Sequence, residues 1–224
     1  MKTAVLAWFS PLLVAGSLSA QTTLFSNVGL GPSGPANLLN PSYRYATDFL
    51  TNSLPSTLTN VTVKLNNLDN ISHTFTASIF TDNAGSPGTL VGSFNSVTVA
   101  PNGSYADYSS ISSGGISLAA NTTYWEVLQM NETTGGGSAP QVAYNDTENS
   151  DAGSLFATIA ATALKTSSNG GASYTDVTFF GSPVHGNYQF AVKGTQTAPE
   201  PSCAILMASG LWVLAHRRRR VAGV

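Results

Sequence analysis

The sequence predicts an all-β protein, a single antiparallel β-sandwich of the jelly-roll-like kind, flanked by one apolar segment at each end of the chain. Short runs of apolar residues alternate with Thr and Ser, and turn-forming residues separate these runs at intervals of about ten residues. Only 9% of the 224 residues are charged, while 42% are hydrophobic, which is enough to build a core. We expect three parts: residues 1–20, a β-domain at 21–196, and a tail at 197–224.

The strand predictions come from period-two patterns, which are typical of antiparallel strands with one face in a core and one in water. These patterns lie at 61–65, 75–79, 97–99, 124–128, 177–179 and 188–192. We expect Tyr124 and Trp125 to fill the core, and Pro87 and Gly88 to supply the backbone angles of a turn. The segment 154–165, SLFATIAATALK, fits either a helix or a strand and is left open.

The first twenty residues have the three parts of a secretory signal peptide. Lys2 is followed by an apolar run at 4–15, and small residues follow at Gly16, Ser17, Ser19 and Ala20. Cleavage is expected after Ala20, with a cut after Ser19 as the alternative. The chain would therefore be exported through the Sec translocon and cut by signal peptidase.

The tail combines three features in order. Pro199, Glu200 and Pro201 are followed by an apolar segment at about 202–216, and then by Arg217, Arg218, Arg219 and Arg220. As a helix this segment would be about 22 Å long at roughly 1.5 Å per residue, shorter than the roughly 30 Å bilayer core. Snorkelling arginines reduce that mismatch, and four arginines favour the cytoplasmic side. The tail is therefore expected to be a transmembrane helix with the preceding chain outside.

These tail residues resemble the PEP-CTERM sorting signal of Gram-negative bacteria. The resemblance covers about 25 residues and departs from the pattern only in its shorter apolar segment. It implies that an exosortase-type membrane protease recognises Pro199, Glu200 and Pro201, while the four arginines fix membrane orientation. It also implies an inner-membrane-tethered intermediate, followed by release to the cell envelope, outer surface or extracellular matrix.

A second resemblance involves the middle of the chain, across about residues 45–195. Its short motifs FTASIF (75–80), GSPGTL (85–90), ISL (116–118) and TYW (123–125) are similar to the choice-of-anchor domains of bacterial surface proteins, the R type in particular. That family pairs one β-rich extracellular module with interchangeable anchors. It has no established biochemical activity, so the resemblance implies fold and location alone.

Composition and motifs argue against several function classes. The β-domain holds four basic and ten acidic residues, a formal charge of −6, so no basic patch for nucleic acid is expected. The one cysteine, Cys203, lies in the apolar tail. No GxSxG, HExxH or Cys/His metal motif is present, and no catalytic residue is predicted. His73, His185 and Glu126 are expected to be surface residues, with Glu126 the best single carboxylate for sugar hydrolysis.

Taken together, we expect an exported, non-catalytic envelope or matrix protein with a structural or adhesive role, associated with extracellular polysaccharide. The alternative is a carbohydrate-binding module or a glycan-active enzyme on the same scaffold. For that alternative, Tyr105 and Tyr108 are the expected exposed aromatic pair. No cofactor is expected, although oxygen ligands from Asp146, Glu148 and Asp151 would suit calcium.

Overall fold

A computed structural model describes residues 21–29, 34–37, 41–132, 139–145, 154–156, 164–179, 182–183 and 187–197. In these ranges the chain is all-β, built from two antiparallel sheets and a two-stranded ribbon, and contains no helix. The strands are β1 (Thr22–Ser26), β2 (Gly34–Asn37), β3 (Arg44–Leu50), β4 (Ser56–Asn66), β5 (His73–Asp82), β6 (Pro87–Ser93), β7 (Val97–Val99), β8 (Ala106–Leu118), β9 (Thr123–Met130), β10 (Gln141–Asn145), β11 (Lys165–Ser167), β12 (Thr175–Asp176), β13 (Thr178–Phe179), β14 (Ser182–Pro183), β15 (Asn187–Tyr188) and β16 (Phe190–Gln196).

The first sheet is seven-stranded and has the order β1-β16-β4-β10-β15, with β2 paired to β10 and β8 paired to β4. In its central strand, β4, the side chains of Val61, Val63 and Leu65 point into the core, as the sequence pattern predicted. Two irregularities interrupt the pairing of β4, one with β16 beside Gly194 and one with β8. A Cβ on Gly194 would lie 2.0 Å from the Thr57 carbonyl oxygen, so this close approach requires glycine.

The second sheet is also seven-stranded, in the order β12-β11-β3-β9-β5-β6, with β7 paired to β5. Strand β9 lies between β3 and β5 and is buried on both faces. The prediction that only one face of this strand is buried was therefore wrong. Tyr124 faces the main core as expected, whereas Trp125 is buried on the opposite face with Ala46 and Val127.

One hydrophobic core fills the space between the two sheets. Residues from both contribute to it, including Phe25 and Phe190 from the first sheet and Phe49 and Leu128 from the second. Phe25 and Phe190 stack with ring centroids 4.7 Å apart, and Phe49 stacks on Phe156 at 5.7 Å. Buried aromatic rings are a large share of such a core, since each removes a large apolar area from water. We call β1–β12, β15 and β16 the two-sheet body.

A turn follows β5, and the residues that supply its backbone angles come before Pro87 and Gly88, which were predicted to supply them. Asn83 donates its backbone N–H to the Ser86 carbonyl at 2.8 Å, and Ala84 and Gly85 adopt positive φ of 52° and 79°. Pro87 and Gly88 instead begin strand β6. Gly88 is needed there because a Cβ would lie 2.9 Å from both the Asn83 Cβ and the Thr81 Oγ1.

Both ends of the two-sheet body leave from the same side, which we call the terminal end. There β1 begins beside Gly194 of β16, and the Thr197 N–H donates to the Pro55 carbonyl at 3.0 Å. Loops 67–72 and 100–105 lie at the other side, the distal end, because β4 ends and β8 begins there. Eleven residues of β4 separate the two ends, about 35 Å at roughly 3.3 Å per residue.

Several predicted features lie outside the described residues: the leader at 1–20, the tail from Pro199 onward, and 157–163 of the open segment. Of that segment, Leu155 and Phe156 form bends and Lys165 begins β11. Within the described ranges, no helix is long and apolar enough to cross a bilayer.

Candidate functional site

The outer face of the second sheet carries a continuous set of hydroxyl and amide side chains. We call Thr76, Ser78, Ser93, Ser96 and Asn131 the polar ladder. It arises because β5 alternates: Phe75, Ala77 and Ile79 point into the core, and the residues between them point outward. Ser93, Ser96 and Asn131 are exposed, while Thr76 and Ser78 are half-buried.

Hydrogen bonds between neighbouring chain segments hold the polar ladder in place. The Thr76 and Ser96 hydroxyls are 2.7 Å apart, and those of Ser78 and Ser93 are 2.8 Å apart. The Asn131 amide nitrogen donates to Thr76 Oγ1 at 3.0 Å and to Ser96 Oγ at 3.4 Å. Strand β5 and the segments after β6 and β9 are thereby fixed to one another, and the side chains are pre-ordered.

These contacts leave hydrogen-bonding capacity unused. A hydroxyl offers one donor and two acceptor sites, so the bonded Ser78–Ser93 pair uses one O–H and retains the other, whereas the Thr76 hydroxyl also donates to Asn131 Oδ1 at 3.3 Å. The ladder itself contains no ionisable side chain. The nearest described carboxylate in sequence, Glu132, is exposed and accepts the Thr74 backbone N–H at 2.7 Å. The five ladder side chains are therefore polar and uncharged, and the Glu132 carboxylate lies beside them.

Toward the terminal end, the same outer face becomes aromatic. Trp125, Ala46 and Val127 form a second buried cluster, with Phe80 and Tyr174 packed against it. The Trp125 indole Nε1–H donates to Asp82 Oδ1 at 2.8 Å. Burial raises the pKa of Tyr174, and the neighbouring Arg44 guanidinium opposes that rise. Because Trp125 is fully buried, its ring offers no stacking platform to a ligand.

Tyr105 and Tyr108 do not form the exposed pair that the sequence predicted, since both are half-buried. The Tyr105 hydroxyl donates to Gln141 Oε1 at 3.3 Å, and burial raises the pKa of Tyr105. The Tyr108 hydroxyl accepts from Asn102 Nδ2 at 2.7 Å. The Tyr108 side chain also lines a cavity of about 10 Å³ against the core, which has room for about one water and none for a sugar. A role for either tyrosine in glycan contact stays a prediction.

Glu126 is not the surface carboxylate that the sequence suggested. It lies on the core side of β9, opposite Thr47 of β3 and Ile79 of β5, and it is fully buried. Neither carboxyl oxygen has a hydrogen-bond partner among the described residues. Burial raises the pKa of Glu126 well above its ordinary value, so the side chain is held as a neutral acid. Sealed from solvent, it has no access to a substrate.

His73 is likewise buried rather than at the surface. Its Nε2 is 2.7 Å from Asp69 Oδ2, and both side chains are fully buried. Asn67 organises the same loop by donating its amide to the carbonyls of Ile71 and Val99, at 2.8 and 2.9 Å. Asn102 Oδ1 accepts the Asn67 N–H at 2.8 Å. This network ties loops 67–72 and 100–105 together at the distal end, which is a structural role.

Charged groups are few among the described residues, and two of the lysines have carboxylate partners. Lys64 Nζ lies 3.9 Å from Asp107 and donates to the Val28 carbonyl at 2.6 Å, while Lys165 pairs with Asp176. Among the described residues, no three His, Cys, Asp or Glu side chains come together as a metal site. The calcium candidates Asp146, Glu148 and Asp151 lie outside those residues, as do His185 and the sorting residues Pro199, Glu200, Pro201 and Arg217 to Arg220.

Sequence reasoning missed the polar ladder as a site. The outward alternation of Thr74, Thr76 and Ser78 was visible, but their partners Ser93, Ser96 and Asn131 come from segments whose pairing no local pattern specifies. No protein-family model matches this chain, and no curated protein matches it. Function is therefore inferred from the residues and contacts of this chain itself.

Proposed function

We propose that the chain is an exported, non-catalytic envelope protein, tethered by its tail and presenting a jelly-roll-like β-sandwich outward. The observation that carries this proposal is the shared exit of both ends of the two-sheet body. Gln21 Nε2 donates to Thr59 Oγ1 at 2.7 Å, and Gln196 Nε2 donates to Asn52 Oδ1 at 2.8 Å, both at the terminal end. A tail that continues from Thr197 therefore places the distal end furthest from a membrane.

In this proposal, the tail carries the signal that a sorting protease recognises. Proline restricts its own backbone and that of the residue before it, so the sequence Pro199-Glu200-Pro201 favours an extended segment, which would suit recognition by a membrane protease such as an exosortase. The apolar segment 202–216 holds the intermediate in the inner membrane, and the four arginines keep the extreme terminus inside. Processing would then release the body to the outer surface or matrix.

Intact mass and membrane fractionation of the native protein test this proposal, because they report both ends at once. We expect a mature chain without residues 1–20. Changing Pro199, Glu200 and Pro201 to alanine should make a tail-bearing form accumulate in the membrane fraction. Replacing Arg217 to Arg220 with glutamine should impair retention, whereas Lys193→Gln, an exposed cation of the body, should leave it unchanged. A full-length chain recovered from the cytosol would overturn the proposal.

Carbohydrate binding is the second candidate function, and the polar ladder favours it. A pre-ordered row of hydroxyls and an amide offers hydrogen-bond donors and acceptors to a sugar polymer. This role is compatible with tethering, because the ladder lies toward the distal end. Binding of the full-length protein to a panel of polysaccharides tests it, and a failure to retain any of them would exclude it.

A further inference from the structure

We infer that Asn102 is a site of spontaneous deamidation, a modification for which the chain itself supplies the nucleophile. The inference concerns the chemistry of the chain and rests on neither proposed function. The sequence contains two Asn-Gly steps, Asn102-Gly103 and Asn169-Gly170. Asparagine is most reactive before glycine, because glycine has no Cβ to shield its backbone nitrogen. The two steps have different surroundings in the structure, and these make Asn102 the reactive one.

The first difference lies in the nucleophile, which is the backbone nitrogen of the glycine. The Gly170 N–H donates to the Ser42 carbonyl at 2.9 Å, a bond that the reaction would have to break. The Gly103 N–H has no hydrogen-bond partner among the described residues, and both Asn102 and Gly103 are exposed. A Cβ on Gly103 would meet no atom within 4 Å, so the space around it is open to water. Base therefore has freer access to the Gly103 proton than to that of Gly170.

The second difference lies in the side-chain amide that is attacked. Asn67 donates its backbone N–H to Asn102 Oδ1 at 2.8 Å, and this oxygen gains negative charge when the Gly103 nitrogen adds to Cγ. The leaving group, Asn102 Nδ2, donates to the Tyr108 hydroxyl at 2.7 Å. A hydroxyl thus lies beside the amine that must gain a proton before it departs. Both contacts on Asn102 assist the reaction.

Asn169 is held by its own loop in a way that restrains the reaction. Its Oδ1 accepts from the Ser167 hydroxyl at 2.8 Å and from the Ser173 N–H at 3.0 Å. Its Nδ2 donates to the Ser173 hydroxyl at 2.8 Å. Because the Gly170 N–H is bonded as well, neither reacting group moves toward the other without losing hydrogen bonds. We expect this step to react slowly in the folded protein.

The reaction needs no co-reactant other than water. The Gly103 nitrogen loses its proton to base and forms a bond to Asn102 Cγ, and the Cγ–Nδ2 bond then breaks to release ammonia. The five-membered succinimide that results takes up one water. Addition of water at Cγ gives aspartate, whereas addition at the backbone carbonyl carbon gives isoaspartate. In isoaspartate the main chain is longer by one methylene group.

Both products alter the connection between loops 67–72 and 100–105. The carboxylate of aspartate still accepts the Asn67 N–H, but it adds a negative charge and has no N–H to donate to Tyr108. Isoaspartate shifts the main chain itself, and so disturbs the bond from the Asn102 N–H to the Asn67 carbonyl at 3.1 Å. We therefore expect deamidation to reduce the hydrogen-exchange protection of these two loops, at the distal end.

Peptide mapping of the full-length protein in detergent tests the inference. After incubation for weeks at pH 8, chymotrypsin releases peptides 95–105 and 165–174, which carry one Asn-Gly step each. Mass spectrometry measures the carboxyl form of each peptide, and electron-transfer fragmentation separates aspartate from isoaspartate. We expect Asn102 to deamidate at least about tenfold faster than Asn169. Protein unfolded in guanidinium chloride is the control, because both steps should then react at similar rates.

Two variants test the contact with the leaving group. Tyr108→Phe removes the hydroxyl beside Asn102 Nδ2 and should slow the reaction at least about threefold. The matched change Tyr105→Phe removes a hydroxyl that contacts Gln141 and should leave the rate as in the parent. Thermal unfolding would verify that both variants are folded. An unchanged or faster rate in Tyr108→Phe would overturn the role of Tyr108. A folded protein in which Asn102 reacts no faster than Asn169 would overturn the site itself.

Discussion

The Tyr188 hydroxyl, on the first sheet, donates a hydrogen bond to the backbone carbonyl of Glu126, on the second sheet, at 3.0 Å. Both residues are fully buried, so this bond crosses the core and joins the two sheets directly. It also fixes the position of β9 at the point where the Glu126 side chain enters the apolar interior.

Tyr188→Phe should destabilise the protein by about 1 kcal/mol, because it removes the hydroxyl and leaves a buried carbonyl without that donor. Urea unfolding followed by tryptophan fluorescence measures the change. Tyr105→Phe is the control, since its 3.3 Å bond to Gln141 is only partly buried and its loss should cost less. Equal decreases in the free energy of unfolding of the two variants would mean that the bond across the core contributes no more to stability than the partly buried one.

The stability of the protein should fall as pH rises above about 4.5. In the folded state, burial raises the pKa of Glu126 well above its ordinary value, whereas in the unfolded chain it is near that value. Between the two pKa values the folded state binds one more proton, so stability declines by about 1.4 kcal/mol per pH unit. The bound proton stabilises the folded state fully below the pKa that Glu126 has in the unfolded chain. This stabilisation is lost as pH rises toward the pKa that Glu126 has in the folded state.

Glu126→Gln should remove this slope and raise stability at pH 8, because the amide cannot ionise. Urea unfolding midpoints from pH 4 to pH 9 measure the effect. Glu132→Gln, an exposed carboxylate, is the matched control and should keep the parent's slope. Parallel pH curves for the parent and Glu126→Gln would show that Glu126 is not the group responsible.

Asp69→Asn should be destabilising, by about 2 kcal/mol, since it removes the carboxylate from a fully buried hydrogen bond to His73. Hydrogen exchange should show loop 67–72 losing protection first. The comparison is Asp176→Asn, which breaks the partly exposed pair with Lys165 and should cost no more than about 1 kcal/mol. Similar costs for the two changes would argue against a structural role for the Asp69–His73 pair.

Gly194→Ala should destabilise by about 2 kcal/mol or more, because its Cβ would overlap the Thr57 carbonyl oxygen. Thermal unfolding measures this directly. A Cβ on Gly114 would meet no atom within 4 Å, and Gly114 has no positive φ, so Gly114→Ala should change stability by less than about 0.5 kcal/mol. Tolerance of alanine at 194 would mean that β4 and β16 are further apart than described.

The all-β class and strands β4, β5, β7 and β9 could be predicted from the sequence, because period-two alternation is a local signal. Burial on the second face of a strand is not local. Trp125 and Glu126 were misplaced because β9 is covered on both sides by parts of the chain that are distant in sequence. His73 was misplaced for a similar reason, since its partner Asp69 lies across a loop whose path depends on Asn67 and Asn102.

The polar ladder could not be predicted for the same reason, because its hydroxyls come from separate segments that only the sheet register brings together. The turn at 82–86 shows a different limit. Proline and glycine at 87–88 were expected to supply the turn angles, but the residues with positive φ are Ala84 and Gly85. Glycine is needed at 88 because a Cβ there would collide with Thr81 and Asn83.

The position of β16 has a mechanical consequence. Its seven residues lie between β1 on one side and β4 on the other, and its last residue leads toward the tail. A pulling force applied at Gln196 would run along the axis of this strand. Such a force would load the hydrogen bonds to β1 and to β4 together, in shear, and would not open them one after another.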